Sequence, residues 1–324
     1  MSNNEKSTFT VLVALGANLG VAILKLVAGL LSGSGALLSE AAHSVGDTST
    51  QALLLTAVRR SERPADRQHP FGYGKERYFW ALLAAMGVLV SGAAFSVYEG
   101  IRTFVEGGET TELVWVNYVV LGLALALEGT SLLQATRQVR REAAEHRRSI
   151  PAHLRGADDP TPRAVFAEDF AAVIGIFLAA AGVGLHQLTG SAVWDGAASV
   201  AIGVLLAIVA VLLAFTSKDL LIGKQADVRM LRAIEDWLER QPEVDDVVDL
   251  LTMTTGTDQV LLCARVDFVN TYSAGDLERA CVRIDADLRA EFADLDEIFI
   301  QPVPRSDPEL RERVLRRYGR VLAD

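Results

Sequence analysis

His43 and Asp47 stand four residues apart inside Gly35–Val58, a mostly apolar stretch of this chain. One helix brings both side chains to the same face. An imidazole and a carboxylate surrounded by hydrocarbon are costly unless they are paired or bound to something. At this spacing they form part of a tetrahedral divalent-metal site placed where a membrane would be, an arrangement that points to passage of metal rather than storage. Glu40 and Gln51 extend the stripe, so that Glu40, His43, Asp47 and Gln51 follow i, i+3, i+7 and i+11. Four aligned polar groups, two of them acidic, exceed what hydrogen bonding between packed helices requires.

A second acidic pair, Glu168 and Asp169, lies in another apolar stretch. Neighbours on a helix diverge by about 100°, so one of the two faces the His43 helix. Imidazole nitrogen with two or three carboxylate oxygens suits Zn²⁺ and tolerates Mn²⁺, Fe²⁺ or Co²⁺. Four-coordinate geometry favours zinc and a carboxylate-rich six-coordinate site favours manganese; both stay open. Metal binding needs the neutral nitrogen of His43, whose ordinary pKa lies close to physiological pH. Metal and protons therefore compete for one site, a physical route to proton-driven export. Glu40 and Glu128 are candidate proton relays. Glu128 lies beside Thr130 and Ser131, and its alternative is a protonated acid bonded to a neighbouring helix.

These groups need spanning helices to hold them. A span takes about 20 mostly apolar residues, and six stretches qualify: 8–31, 35–58, 77–103, 114–136, 164–187 and 192–215. The first continues past Lys25 and shows no cleavage pattern of a removed signal peptide. Arg and Lys crowd alternate connections: Arg59, Arg60, Arg63, Arg67, Lys75 and Arg77 after the second span, Arg137, Arg140, Arg141, Arg147, Arg148, Arg155 and Arg163 after the fourth, and Lys218 and Lys224 after the sixth. The remaining loops are Ser32-Gly33-Ser34, an acidic stretch with Glu106, Glu109 and Glu112, and His186–Trp194. That bias places both termini in the cytoplasm. The Asp195 carboxyl, near the start of the sixth span, is expected to cap that helix.

Beyond residue 225 the composition changes. Residues 226–324 carry thirteen Arg, no Lys and twenty-two Asp plus Glu, a net of −9 out of the chain's −10. An acidic domain disfavours nucleic acid and suits cations. Its pattern reads helix (228–239), strand (247–254), strand (259–269), helix (273–292), strand (297–303), with a hairpin signal at Thr255-Gly256-Thr257-Asp258 and a Ser273-x-x-Asp276 helix start. A final amphipathic helix, 308–322, caps this domain or meets a partner. Cys263 and Cys281 are expected as reduced core thiols. The expected fold is an all-α six-helix transmembrane bundle, residues 1–224, followed by a cytoplasmic α+β domain of ferredoxin-like αββαβ order, residues 225–324.

Several motifs now fall in register with a known family. Ser39-Glu40-Ala41-Ala42-His43-Ser44-Val45-Gly46-Asp47 resembles the second-span signature of the cation diffusion facilitators. Asp66-Arg67-Gln68-His69-Pro70-Phe71-Gly72-Tyr73-Gly74-Lys75-Glu76-Arg77 resembles the loop that follows it. Glu168-Asp169-Phe170-Ala171-Ala172-Val173-Ile174-Gly175, preceded by Asp159-Pro160-Thr161, and Leu220-Leu221-Ile222-Gly223 are similar to the branch of that family that contains a mitochondrial zinc transporter. The resemblance implies a transport site of His43, Asp47 and Asp169, in a homodimer that works by alternating access and exchanges metal for protons.

This chain departs from the family pattern in three places. Val165 occupies the position where many members carry a second His, which leaves Glu168, one residue out of phase, as the nearest substitute ligand. In the loop, some members bind a second metal through an Asp and two His; Asp66 and His69 match, while Tyr73 replaces the other His, so a weak or absent site is expected there. The tail has no His, because His43, His69, His146, His153 and His186 all precede it. Its expected role is contact between copies. His146 and His153, near Asp158 and Asp159, are read as a solvated loop, and His186 as an interfacial residue.

Two other function classes compete with transport. An intramembrane metal hydrolase calls for a His-Glu-x-x-His set with a spare general base, and the spans hold His43 in their interior, His186 at an outer end and no such motif. A membrane-bound metal sensor or scaffold would bind tightly without turnover. The expected partners are a divalent cation, protons and the lipid bilayer, with no cofactor and no nucleic acid. Ala and Arg richness suggests a bacterial plasma membrane.

Overall fold

The computed structural model describes residues 3–107, 114–145, 149–150 and 160–318. His146, His153, Asp158, Asp159, Glu109 and Glu112 lie outside the described residues. The chain divides into two compact units, Met1–Arg60 with Glu76–Lys218, and Ser61–Lys75 with Asp219–Asp324.

Six long helices occur among the described residues up to 222: α1 (Asn3–Ser32), α2 (Gly35–Ser61), α3 (Glu76–Glu106), α4 (Val114–Glu145), α5 (Pro160–Thr189) and α6 (Val193–Ile222). Each exceeds the roughly 20 residues a bilayer needs, because polar ends such as Arg59, Arg60 and Glu142 continue the helical backbone beyond the apolar stretch. Gly33 takes φ +69° in the turn between α1 and α2, a conformation that favours glycine. Pro160 starts α5, where its missing N–H costs nothing. Within α3, Val88–Ala94 winds as a π-helix, a local widening often found near functional sites.

Four of these helices are long and apolar enough to cross a membrane: Glu76–Glu106, Trp115–Ala144, Arg163–Thr189 and Val193–Ile222. In α1 the described apolar part is Asn18–Ser32, and α2 carries the polar stripe. The side-chain distribution is inverted relative to a soluble bundle. On α1, Leu19, Ile23, Leu24, Val27 and Leu30 are exposed while Lys25 is fully buried. Outward Leu and inward charge suit a lipid surround, and the chain is an integral membrane protein. The apolar interior is built from small and branched side chains such as Ala28, Leu37, Ala171, Ile176, Ile202 and Leu206. Gly203 of α6 lies so close to Ala93 and Val97 of α3 that an added Cβ would stand 2.9 Å from the Ala93 carbonyl oxygen, which keeps these two helices in direct backbone contact.

The second unit contains α7 (Val228–Glu239), β1 (Val244–Gly256), β2 (Gln259–Phe268), α8 (Ala274–Glu291), β3 (Leu295–Pro302) and α9 (Pro308–Tyr318). The sheet order is β1-β2-β3, with β1 antiparallel and β3 parallel to β2. Alternate β2 residues, Val260, Leu262, Ala264, Val266 and Phe268, are buried with Ile234 and Leu238 of α7 and Ile284 and Leu288 of α8. Ser273 and Asp276 form a reciprocal capping box at the start of α8. Val248 turns away from this core and packs with Leu310 and Val314 of α9. Both cysteines are free and half-buried. The segment 61–75 joins this unit through Gly74, where a side chain would collide with Thr255 and Gly256 of the β1–β2 hairpin.

Candidate functional site

The α2 stripe is buried. Glu40 and Ser39 are fully enclosed, His43 is 1% exposed and Asp47 is 8% exposed, while Val45 on the opposite face is open. The i, i+4 spacing puts His43 Nε2 3.4 Å from Asp47 Oδ2. Neither ring nitrogen of His43, nor Asp47 Oδ1, nor Glu40 Oε1, nor Glu168 Oε1 has a hydrogen-bond partner. Buried polar atoms are seldom left unsatisfied, so the unsatisfied His43 and Asp47 atoms, side by side on one helix, mark a place for a ligand that supplies positive charge.

From α5, Glu168 and Asp169 are both buried and point to different helices. Glu168 faces the Thr50 hydroxyl of α2, whereas Asp169 Oδ2 accepts a 2.7 Å bond from the Ser131 hydroxyl of α4. Their charges, with those of Glu128 and Lys25, act on the Asp47 carboxyl. In this arrangement Glu168 reaches the helix that carries His43, and Asp169 is drawn toward α4. Among the described residues, no three His, Cys, Asp or Glu side chains stand together closely enough to hold a metal ion. His43 and Asp47 form a close pair able to offer two ligands, with acids nearby.

Lys25 of α1 is a member of this cluster that sequence reasoning passed over. Its Nζ donates to Glu40 Oε2 at 3.0 Å and to Ser44 Oγ at 2.8 Å, with the whole side chain fully buried. The available signal was the presence of an ionisable residue in an apolar run. On the far side of Glu40, α5 presents Gly175, and a Cβ there would overlap Glu40 Oε1. The carboxylate is thus enclosed by a cation from α1 and a notch in α5.

Asp195 requires a correction. It lies in the first turn of α6 but does not cap that helix. Its Oδ2 accepts the backbone N–H of Gly35 at 2.6 Å and of Ala36 at 3.3 Å, and its Oδ1 accepts the Ser34 hydroxyl at 2.7 Å. These are unsatisfied first-turn donors of α2, and a carboxylate also complements the positive end of a helix. The start of the helix that carries His43 is therefore fixed by α6.

The loop motif is occupied by its own hydrogen bonds. Asp66 Oδ1 accepts the backbone N–H groups of Gln68 and His69, both at 2.8 Å, and Oδ2 accepts the Tyr73 hydroxyl at 2.7 Å. The Tyr73 hydroxyl first, then the His69 N–H, holds the Asp66 carboxyl below the usual carboxylate range. His69 Nδ1 is 3.6 Å from Asp66 Oδ1, and its ring lies 4.3 Å from that of Tyr73. His186 sits near the C-terminal end of α5, with its Nε2 buried.

Comparison with known proteins matches residues 11–222 to the cation efflux transmembrane domain. The proton-coupled zinc antiporter SLC30A9, mitochondrial, of Homo sapiens is 31% identical over 258 residues, covering 80% of this chain and 45% of that protein. Its Xenopus laevis counterpart is 34% identical over 244 residues, 75% of this chain and 44% of that protein. Metal tolerance protein C4 of Arabidopsis thaliana is 32% identical over 266 residues, 82% of this chain and 58% of that protein. The chain thus spans about half the length of these curated relatives. A matched domain over most of the bundle, together with the buried His43–Asp47 pair inside it, places the chain in the cation diffusion facilitator family, on the branch that includes SLC30A9.

Proposed function

We propose that this protein exports a divalent cation, with zinc as the favoured cargo, in exchange for protons. In this reading it is a homodimer of six-span bundles working by alternating access. Residues 1–224 form the membrane domain and 225–324 a ferredoxin-like tail with a role in contact between copies. Both termini lie in the cytoplasm, and the membrane is a bacterial plasma membrane. The observation that carries the reading is the enclosed His43–Asp47 pair, 3.4 Å apart, with both imidazole nitrogens unsatisfied. The names of the SLC30A9 relatives as proton-coupled zinc antiporters support the cargo and the counter-ion.

Residues of this chain supply each part of the cycle. His43 offers a nitrogen and Asp47 an oxygen, and Glu168 and Asp169 complete the shell by turning from Thr50 and Ser131 toward the ion. Protonation of the imidazole and the carboxylates removes donors and releases the metal. Glu128 and Glu40 pass protons between the cluster and its ends. The π-helical segment Val88–Ala94, in backbone contact with Gly203, supplies a place where α3 can change its winding. Asp66 and His69 serve the loop fold, since both Asp66 oxygens are already engaged.

One feature favours a harder metal as second reading. With Val165 in place of a second imidazole, carboxylates outnumber nitrogen, which suits manganese. The deciding experiment uses purified protein in liposomes loaded with a metal indicator and a pH dye. Wild type should take up zinc with protons moving the other way, and Asp47→Ala should do neither. Tight binding without uptake in wild type would replace transport by a sensor role. Uptake without proton counterflow would remove the antiport, and faster manganese uptake at equal concentration would reassign the cargo.

A further inference from the structure

Lys25 and Glu40 lie on the Ser34 side of the metal seat. At about 1.5 Å of rise per residue, Glu40 sits roughly 10 Å from Asp47 along α2. Exposure falls from 8% at Asp47 to 1% at His43 and to nothing at Glu40 and Lys25, so the cluster is sealed at the ion pair. Beyond the seal, at the end where α1 turns into α2, is a cavity of about 190 Å³ whose walls include Gly29, Leu38, Glu99, Arg102 and Glu106. Gly29 is one turn past Lys25 and Leu38 two residues before Glu40. The pair therefore separates His43 and Asp47 from this cavity, whose acids Glu99 and Glu106 are both paired with Arg102.

A fully buried ion pair is a poor source of stability, because desolvation offsets its attraction. Inside a membrane, ionisable pairs mark ion pathways. Three observations fit a path better than a brace. Glu40 uses one oxygen on Lys25, and its Oε1 has no partner. Gly175 leaves room for that oxygen where any side chain would displace it. Lys25 is itself a long, rotatable cation whose second bond goes only to the Ser44 hydroxyl.

We propose that the Lys25–Glu40 ion pair is the gate between the His43–Asp47 seat and the cavity at the Gly33 turn. Lys25 is a tethered cation that occupies Glu40 until a divalent ion displaces it, and Glu40 is a transient ligand for that ion on its way through. The gate rests on the transport function proposed above. With Lys25 paired, Glu40 presents no net charge to the seat and the ion stays at His43–Asp47. With Lys25 displaced, the carboxylate offers both oxygens and the ion moves one step toward the cavity.

The test uses the full chain, with zinc as the probe, in micelles for affinity and in liposomes for uptake. Lys25→Met leaves an uncompensated carboxylate that traps the ion. Zinc should bind roughly tenfold more tightly and uptake at saturating zinc should slow by about tenfold, since one competing unit charge is lost in a low-dielectric site. Lys25→Arg, which keeps the charge, should recover most of the rate. Lys25→Met/Glu40→Gln removes the trap together with the gate. Its affinity should return to within about twofold of wild type, and zinc should leak without proton counterflow. Should the single variant fail to fold, the double variant, free of an unpaired buried charge, carries the test. Wild-type affinity and rate in folded Lys25→Met, or coupled wild-type uptake in the double variant, would reduce the pair to a helix brace and overturn the gate. A wild-type protein that binds zinc but takes up none fails the transport function instead, and the affinity series still reports whether Glu40 holds the ion.

Discussion

Ser131 of α4 holds Asp169 of α5 through a 2.7 Å hydrogen bond to Oδ2, while the adjacent Glu168 faces Thr50 of α2. Two neighbouring acids thus serve two different helices. Of the pair, Glu168 is the one that faces the helix that carries His43 and Asp47.

In the proposed transport cycle, this division makes Ser131 a brake on ligand assembly. Ser131→Ala removes a bond that Asp169 must break before it turns to a cation, so zinc binding should strengthen. Loss of one hydrogen bond to a carboxylate is worth about 1.5 kcal/mol at the low end, or roughly tenfold in affinity. Glu168→Gln should act oppositely and weaken binding, because it removes the carboxylate nearest α2. Competition titration against a chromophoric chelator reads both. An unchanged constant in Ser131→Ala would mean that Asp169 stays with α4 in the bound state, and an unchanged constant in Glu168→Gln would exclude that acid as a ligand.

Asp195 ties α6 to the first turn of α2. Asp195→Ala leaves the Gly35 and Ala36 N–H groups and the Ser34 hydroxyl without their acceptor in a buried place. The cost should be about 1–3 kcal/mol, seen as a lower thermal midpoint of the protein in micelles. Asp195→Asn retains one acceptor oxygen and should lose less. Because α2 carries His43 eight residues further on, zinc affinity should fall along with the midpoint. Equal midpoints for wild type and the Ala variant would show that water replaces the carboxylate.

Much of the site was legible because one helix carries it. A stripe at i, i+3 and i+7 is a local pattern, and Glu40, His43 and Asp47 share a buried face as the spacing requires. The Ser273–Asp276 box is equally local. What escaped depends on pairings across helices. Lys25 meets Glu40 only because the Gly33 turn folds α1 back on α2, and a single Lys in an apolar run also fits a side chain reaching for an interface. Asp195 serves a helix start 160 residues away, which no local rule distinguishes from its own. Gly175 reads as an ordinary small residue until Glu40 is seen against it.

The loop gives a prediction with a definite sign in pH. Asp66 titrates below its ordinary value, with the Tyr73 hydroxyl as the largest cause. A carboxyl lowered on folding stabilises the folded turn above the ordinary carboxylate pKa of about 3.9. That contribution is lost as pH falls through the lower folded value. Tyr73→Phe should move the Asp66 titration upward, toward the ordinary value, and shift acid loosening of the turn to higher pH. Carbon-detected NMR of labelled aspartate side chains, followed through acid titration, resolves the shift. A titration identical in the two proteins would assign the lowering to the backbone N–H groups of His69 and Gln68 alone.

At the other end of the chain, Asp249 of β1 is fully buried and accepts from Arg265 Nη1 at 2.8 Å and from Arg317 Nη1 at 3.0 Å. One carboxylate thereby joins β1 to β2 and to α9, beside the Val248–Leu310–Val314 contact. Changing the buried partner is the more damaging, because the two Arg lose the negative charge they share, while Arg317 is itself 41% exposed and can return to water. Asp249→Asn should therefore cost about 1–3 kcal/mol, and Arg317→Ala less than about 1 kcal/mol. Limited trypsin digestion of the full chain reads the difference: α9 contains Arg311, Arg313, Arg316 and Arg317, and cleavage there should quicken far more in Asp249→Asn. Equal digestion rates in the two variants would mean that α9 is held by its apolar contact alone.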